Sequence, residues 1–212
     1  MSKIWDRVYS SDSSFFGEDP SNFGLDCYEE FKKHEVKNVL ELGCGQGRDT
    51  IFFASNGLDV VAMDSSQVAV DALSKIITEK NLPIKAMIYD VSEGMPFDNS
   101  YFDAVYSHMF FNIRFTDDQL KYFFVEVNRV LKDGGLNLFS VRSDNDAMYK
   151  KGTEVEKNIY DINGFQIRFF TKPDLTKISL SNGFEPYKIT EAYEEPASLY
   201  CVFTRKQKDR SI

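Results

Sequence analysis

Three glycines at alternate positions follow directly on the short apolar run Val39–Leu42. Gly43, Gly45 and Gly47 make a sharp turn before an amphipathic stretch begins. Because a glycine has no Cβ, the backbone of such a turn can bend tightly and approach a ligand closely. This strand–turn–helix pattern predicts the start of a doubly wound α/β sheet, whose ligands bind at the carboxyl ends of the strands.

Short apolar runs alternate with amphipathic stretches along the rest of the chain, which is typical of a mostly parallel sheet covered by helices. We therefore predict an α/β fold with a Rossmann-like doubly wound sheet of seven strands and helices on both faces. The sheet is expected to be mostly parallel with a C-terminal antiparallel strand. The best marked helix follows Thr116, which fits a capping box with Gln119, and Gly134 is expected to end it before a strand at Leu136–Val141.

The 212 residues are predicted to form one domain, 1–212. Residues 1–34 are expected to be an arm over the ligand site, irregular as far as residue 24 and helical from Leu25 to His34. Residues 142–170 carry no clear helix or strand pattern except near Phe165–Phe170, and are expected to form an insertion or lid.

Composition restricts the partners and the compartment. The formal net charge of −8 disfavours nucleic acid, because an acidic chain repels phosphate. The three cysteines are far apart, which argues against a disulfide framework and a zinc site, and we predict no metal. No run approaches the roughly 20 apolar residues of a membrane span, and the first residues lack a signal peptide. We expect a cytoplasmic protein that does not contact membranes.

Dinucleotide enzymes use the same architecture, but the turn fits them poorly. Their G-x-G-x-x-G fingerprint needs a glycine at position 48, where this chain has Arg48. Glu41 before the turn and Asp49 after it are poor neighbours for a diphosphate and better suited to a cationic ligand. A nicotinamide-dependent oxidoreductase is therefore the less favoured alternative.

The segment Glu41–Gly47 resembles the first motif, E/D-x-G-x-G-x-G, of class I S-adenosylmethionine-dependent methyltransferases. Later segments resemble the other motifs of that family in the same order. Trp5–Tyr9 resembles the W-D-x-x-Y arm of the small-molecule tellurite-resistance and thiopurine methyltransferase-like groups, and Gly47-Arg48-Asp49 resembles a G-R-N segment of the former. The later motifs are the end of the second strand at Asp64, the end of the third at Asp90, Phe102–Ser107 in the fourth, and Leu131–Gly135 before the fifth.

The resemblance implies S-adenosyl-L-methionine as the cofactor. Asp64 would accept hydrogen bonds from both ribose hydroxyls, Asp90 would accept from the adenine amino group, and Trp5 and Tyr9 would close over the methionine end. Taken alone, Asp64 and Asp90 are more often turn or cap residues, and the arm could equally be a strap packed on the body. The cofactor-binding residues that we predict are Trp5, Tyr9, Glu41, Gly43, Cys44, Gly45, Arg48, Asp64, Ser65, Asp90, Val91 and Ser107.

For the acceptor, the resemblance implies methyl transfer by in-line displacement, for which a protein mainly aligns the reactants. Ser107–Phe110 lacks the N-P-P-Y motif of nucleic-acid amino methyltransferases, and no cysteine is placed for cytosine chemistry, so we predict a small-molecule acceptor. His108 is the candidate catalytic residue, as a general base or acceptor-orienting donor, because imidazole titrates near neutrality. A loop histidine without chemistry is the alternative.

A non-catalytic S-adenosylmethionine-binding regulatory protein would carry the same turn and carboxylates. The acceptor, the atom methylated and the oligomeric state stay open at this point.

Overall fold

The computed structural model describes residues 2–12, 15–90, 93–113 and 115–208. The fold is mixed α/β with helices and a seven-stranded, mostly parallel sheet that contains one antiparallel strand, which confirms the predicted fold class. The chain divides into two compact units, one comprising Met1–Pro96 and Phe102–Ser107 and the other Phe97–Tyr101 and His108–Ile212. None of the helices in the described ranges is long and apolar enough to cross a membrane.

The first unit holds four parallel strands in the order β3-β2-β1-β4. In a parallel sheet all carboxyl ends lie at one edge, so the ends of β1 and β2 are neighbours, with Leu42 opposite Met63. The elements of this unit are α1 Ser2–Ser11, α2 Asn22–Lys33, β1 Asn38–Leu42, α3 Arg48–Ser55, β2 Asp59–Asp64, α4 Gln67–Lys80, β3 Ile84–Ile88 and β4 Phe102–His108, whose last residue belongs to the second unit.

Buried apolar side chains of α4 hold the glycine turn on the sheet. Leu73 packs with Cys44 and Ala62, and all three are at most 7% exposed. The helix begins where it does because the Ser66 hydroxyl accepts a hydrogen bond from Ala69 N. A second, aromatic cluster stacks Phe23 on Tyr106 with ring centroids 5.5 Å apart.

The second unit places β10 antiparallel to both β5 and β9, in the order β5-β10-β9. The predicted C-terminal antiparallel strand is confirmed and is β10. Its elements are a short 3-10 helix at Phe110–Asn112, α5 Asp117–Val130, β5 Leu131–Arg142, β6 Thr153–Glu156, β7 Ile159–Ile162, β8 Phe165–Arg168, α6 Lys172–Ser181, β9 Phe184–Glu194 and β10 Ala197–Lys206.

The prediction of an irregular arm as far as residue 24 is wrong, because residues 2–11 form helix α1 and α2 already begins at Asn22. Trp5 and Tyr9 lie one helical turn apart, and their rings stack with centroids 5.7 Å apart. Packing of this helix against α4 supplies the stabilisation that its polar sequence lacks.

Two expectations for the second unit are also wrong: where the helix after Thr116 ends, and the lack of strands in most of residues 142–170. The capping box of Thr116 and Gln119 is present, but α5 ends at Val130, and β5 begins at Leu131 because the backbone there is already extended. Gly134 therefore lies within the strand. Residues 142–170 contain the three-stranded antiparallel sheet β6-β7-β8, whose second hairpin turns at Asn163-Gly164 with positive φ at both residues.

Candidate functional site

The glycine turn is fastened to the end of β2 through its backbone. The amides of Gly43 and Cys44 both donate to the carbonyl oxygen of Met63, at 2.8 and 3.1 Å. Gly43, Gly45 and Gly47 have φ values of 72°, 52° and 87°, in the left-handed region that other residues rarely adopt. The three glycines are thus required by the backbone path of the turn.

The carboxylate of Asp64 faces this turn from the end of β2. Its Oδ2 accepts a hydrogen bond from Gly45 N at 2.9 Å, and its Oδ1 accepts from Ser66 N at 2.8 Å. Burial raises the pKa of Asp64, and the amides of Ser66, Gly45 and Ser65 act in the opposite direction. A carboxylate oxygen can accept more than one hydrogen bond, so both oxygens keep capacity for hydroxyl groups of a ligand.

Helix α1 brings an aromatic residue against the turn. A Cβ added at Gly45 would lie 2.8 Å from the hydroxyl oxygen of Tyr9, so a larger residue there would displace that hydroxyl. The helix is held in place by Ser66, whose hydroxyl donates to Asp6 Oδ1 at 2.6 Å. Burial and the nearby Asp64 carboxylate raise the pKa of Tyr9, so its hydroxyl stays protonated.

Two side chains of the turn bind the segment that follows α1. Gln46 Nε2 donates to Asp12 O at 2.9 Å and its Oε1 accepts from Phe15 N at 3.1 Å. Arg48 donates to Phe16 O at 2.8 Å. The arm is therefore tied to the turn on both sides of residues 13 and 14, which lie outside the described ranges.

Part of the chain is similar to a known family. Residues 39–135 match the family model of a methyltransferase domain. The matched residues include the glycine turn, Asp64 and the strands around them.

Two relatives that match part of the chain are named methyltransferases. An uncharacterized methyltransferase of Synechocystis is 34% identical over 100 residues, which are 47% of this chain and 44% of that protein. TehB of Haemophilus influenzae, named a probable S-adenosyl-L-methionine-dependent methyltransferase, is 35% identical over 54 residues, 26% of this chain and 19% of that protein. The chain thus spans less than half the length of these relatives.

A solved structure shows the same fold. The 1,6-didemethyltoxoflavin-N1-methyltransferase of Burkholderia thailandensis aligns with a TM-score of 0.74 at 17% identity, over 98% of this chain and 87% of that one. The predicted resemblance to class I S-adenosylmethionine-dependent methyltransferases, including the tellurite-resistance type, is confirmed. The enzyme class and the cofactor predicted from this resemblance are those in the name of TehB.

The structure brings together part of the predicted cofactor-binding set. Cys44 and Gly45 lie at the turn beside Asp64, and Ser65, which is half-buried, donates to the Asp64 carboxylate. Trp5 and Tyr9 belong to the arm over it.

The other predicted residues differ in their contacts and exposure. Arg48 is directed to Phe16 O, Ser107 is buried in β4, and Asp90 is exposed at the end of β3. Val91 lies outside the described residues.

Glu41 and Asp49 are both buried, and each has partners within the protein. Glu41 Oε2 accepts from the Thr50 hydroxyl at 2.5 Å. Asp49 accepts from Ser21 N at 2.7 Å, from the Ser21 hydroxyl at 2.9 Å and from the Tyr106 hydroxyl at 2.6 Å. Asp49 therefore joins α3 to the N-cap of α2 and to β4, a role that the sequence reading missed because both partners are remote in the chain.

We expect Glu41→Gln to change how stability depends on pH. Burial, and then the charge of Asp49, raise the pKa of Glu41 well above its ordinary value. Between the ordinary value of about 4.3 and the raised one, the folded protein binds more protons than the unfolded chain. The free energy of unfolding therefore falls as pH rises, by up to about 1.4 kcal/mol per pH unit, and the Glu41→Gln substitution removes this loss.

Urea denaturation of wild type and Glu41→Gln from acidic to mildly alkaline pH measures the effect, with the exposed Glu79→Gln as the matched control. Parallel pH profiles for wild type and Glu41→Gln would contradict the expectation.

His108 lies in the second unit with two partners that the sequence reading missed. Its Nδ1 is 2.7 Å from the Ser140 hydroxyl, and its Nε2 is 3.6 Å from Glu194 Oε1. Ser140 is a polar residue within the apolar run of β5, and a polar residue at such a position indicates a buried hydrogen bond that the sequence could have suggested. Glu194 ends β9 in an exposed polar stretch and carries no such signal.

Proposed function

We propose that the protein transfers a methyl group from S-adenosylmethionine to a small-molecule acceptor. The observation that carries the proposal is the Asp64 carboxylate, held at the turn by the amides of Gly45 and Ser66 inside a domain of this family. The residues present fit the cofactor, because the Asp64 carboxylate beside the turn can accept from the two ribose hydroxyls. The cofactor supplies an electrophilic methyl group on a sulfonium sulfur.

In this proposal Asp64, the glycine turn and the arm have separate tasks. Asp64 orients the ribose, and the turn from Gly43 to Gly45 lets the cofactor approach the backbone. The aromatic rings of Trp5 and Tyr9 close over its methionine end and exclude water. The remaining proposed contacts to the cofactor come from Glu41, Arg48, Ser65, Asp90, Val91 and Ser107.

For the acceptor, a small molecule is favoured by charge. A chain with a net charge of −8 repels nucleic acid, and the guanidinium groups of Arg142 and Arg168 are already paired with Asp146 and Asp117. The Burkholderia protein that shares the fold is named for a small heterocyclic acceptor.

Four further predictions belong to this proposal. Residues 142–170 would act as a lid over the acceptor, with the whole chain, 1–212, as one methyltransferase domain. We also propose the cytoplasm as the compartment, which the three buried cysteines favour because none of them is in a disulfide. His108 is proposed to act on the acceptor side.

Calorimetric titration of the wild-type protein tests the proposal. We expect S-adenosylmethionine and S-adenosylhomocysteine to bind with micromolar affinity and NADH not to bind. Formation of S-adenosylhomocysteine with small acceptors would then distinguish an enzyme from a regulatory protein that only binds the cofactor. Binding of NADH alone, or of none of the three, would overturn the proposal.

A further inference from the structure

Helix α1, the part of the arm that lies on the glycine turn, carries its contacts on one face. Asp6 and Tyr9 are three residues apart, and Trp5 and Tyr9 are four apart, so the three side chains are neighbours on the helix surface. Trp5 stacks on Tyr9, whose hydroxyl lies beside Gly45. Asp6 accepts a hydrogen bond from the Ser66 hydroxyl at 2.6 Å. The rotation of the helix about its axis therefore decides whether both rings face the turn.

The helix packs against α4 while burying little apolar surface. Among the side chains of residues 4–11, which the structure describes, Tyr9 alone is buried, and Ile4 is 44% exposed. A helix of ten residues is also marginal in water by its own hydrogen bonds. The contacts of Gln46 and Arg48 reach the chain at residues 12–16, beyond the helix itself. The polar contact of Asp6 therefore carries a large share of what fixes α1 on the turn.

Ser66 is a firmly held partner for this contact. It is fully buried, its Oγ accepts from Ala69 N at 3.2 Å, and its own N–H donates to Asp64 Oδ1 at 2.8 Å. The Ala69 amide uses an acceptor position of the hydroxyl, so the hydroxyl proton is donated to Asp6. A hydrogen bond to a carboxylate is about twice as strong as one between neutral groups. The bond thus joins α1 to the residue that also holds the Asp64 carboxylate.

We propose that Asp6 is a positioning residue of the cofactor site: its hydrogen bond with Ser66 holds helix α1 closed over the methionine end of S-adenosylmethionine. The inference rests on the proposed function. Asp6 itself does not touch the ligand; it orients Trp5 and Tyr9, which do. Binding of ligands that have an amino-acid end then depends on Asp6, whereas binding of ligands that lack this end does not.

The single tryptophan of the chain reports the state of the arm without any ligand, because Trp5 lies in α1. We expect Asp6→Ala to increase the quenching of Trp5 fluorescence by acrylamide, since a released helix exposes the ring. Arg7→Ala, an exposed change at the next residue, is the matched control and should be quenched as wild type is. Asp6→Asn keeps an acceptor oxygen for the Ser66 hydroxyl and should lie closer to wild type than Asp6→Ala does. Equal quenching in Asp6→Ala and wild type would overturn the inference.

A pair of ligands separates positioning from general damage to the site. S-adenosylhomocysteine carries the amino-acid end, whereas 5′-methylthioadenosine has the same adenosine without it. We expect Asp6→Ala to weaken the binding of S-adenosylhomocysteine about tenfold, which corresponds to an arm closed in about a tenth of the molecules. Calorimetric titration should show unchanged binding of 5′-methylthioadenosine. A loss by the same factor for both ligands, or for neither, would contradict the positioning role.

A double variant tests whether Asp6 acts through Ser66. Ser66→Ala lacks the hydroxyl that donates to Asp6, so adding Asp6→Ala should cause no further rise in the quenching of Trp5. Additive effects of the two substitutions would mean that Asp6 holds the helix by another route, and the inference would fail.

The two proposals fail in different ways. Wild-type protein that binds neither S-adenosylhomocysteine nor 5′-methylthioadenosine refutes the proposed function, while the quenching of Trp5 without ligand is unaffected. Normal binding of both ligands by wild type and by Asp6→Ala refutes only the inference about Asp6.

Discussion

Asp64→Asn is expected to weaken S-adenosylmethionine binding by at least about 100-fold. Hydrogen bonds to a charged group contribute about 1.5–3 kcal/mol each, and the proposed carboxylate accepts from two ribose hydroxyls. Each 1.4 kcal/mol corresponds to a factor of about ten in affinity, so two such bonds account for the effect. Asparagine keeps the shape of the side chain but replaces one acceptor oxygen with a donor.

The control for this variant lies on the same strand. Asp59 begins β2 and is exposed, whereas Asp64 ends it at the turn, so Asp59→Asn should bind the cofactor as wild type does. Calorimetric titration measures both variants, and thermal unfolding checks that each is folded. Unchanged affinity in a folded Asp64→Asn protein would remove the main support for the proposed site.

Asp49→Ala is expected to destabilise the protein by about 3–5 kcal/mol. The substitution leaves three buried donors without their acceptor: the amide and hydroxyl of Ser21 and the hydroxyl of Tyr106. Each unsatisfied buried group costs about 1–3 kcal/mol, and water entering the space recovers part of this. For a chain of this size, we expect the midpoint of thermal unfolding to fall by about 10 °C.

Circular dichroism during thermal unfolding measures this change. Asp26→Ala on the exposed side of α2 is the matched control, because it removes a carboxylate of the same kind without removing these contacts. A midpoint that falls equally in the two variants would mean that the Asp49 contacts contribute little to stability.

The parts of the fold that sequence reading predicted are those with local causes. A run of apolar residues followed by alternating glycines defines β1 and its turn, and Thr116 with Gln119 defines the start of α5. Helix α1 was missed although Trp5 and Tyr9 are correctly spaced, because Ser and Asp around them favour irregular structure and its packing partner α4 is far along the chain. The Asn-Gly pair at residues 163 and 164 is a further local signal, typical of the hairpin that joins β7 to β8.

The candidate site divides in the same way. Asp64 could be predicted because an acidic residue at the end of a strand beside the turn is a local feature. The partners of Asp49 and His108 come from other strands and helices, and their contacts depend on sheet order and register. Glu194 in particular has no local pattern that separates it from the other acidic residues of β9.

The attachment of α1 to the turn has a practical consequence for producing the protein. Asp6 and Tyr9 touch Ser66 and Gly45, and the chain just beyond α1 is tied to Gln46. A purification tag fused ahead of this helix could disturb the contacts between the helix and the turn. Affinity measurements on such a fusion would report the tag as well as the protein, so a carboxyl-terminal or cleavable tag is the better choice.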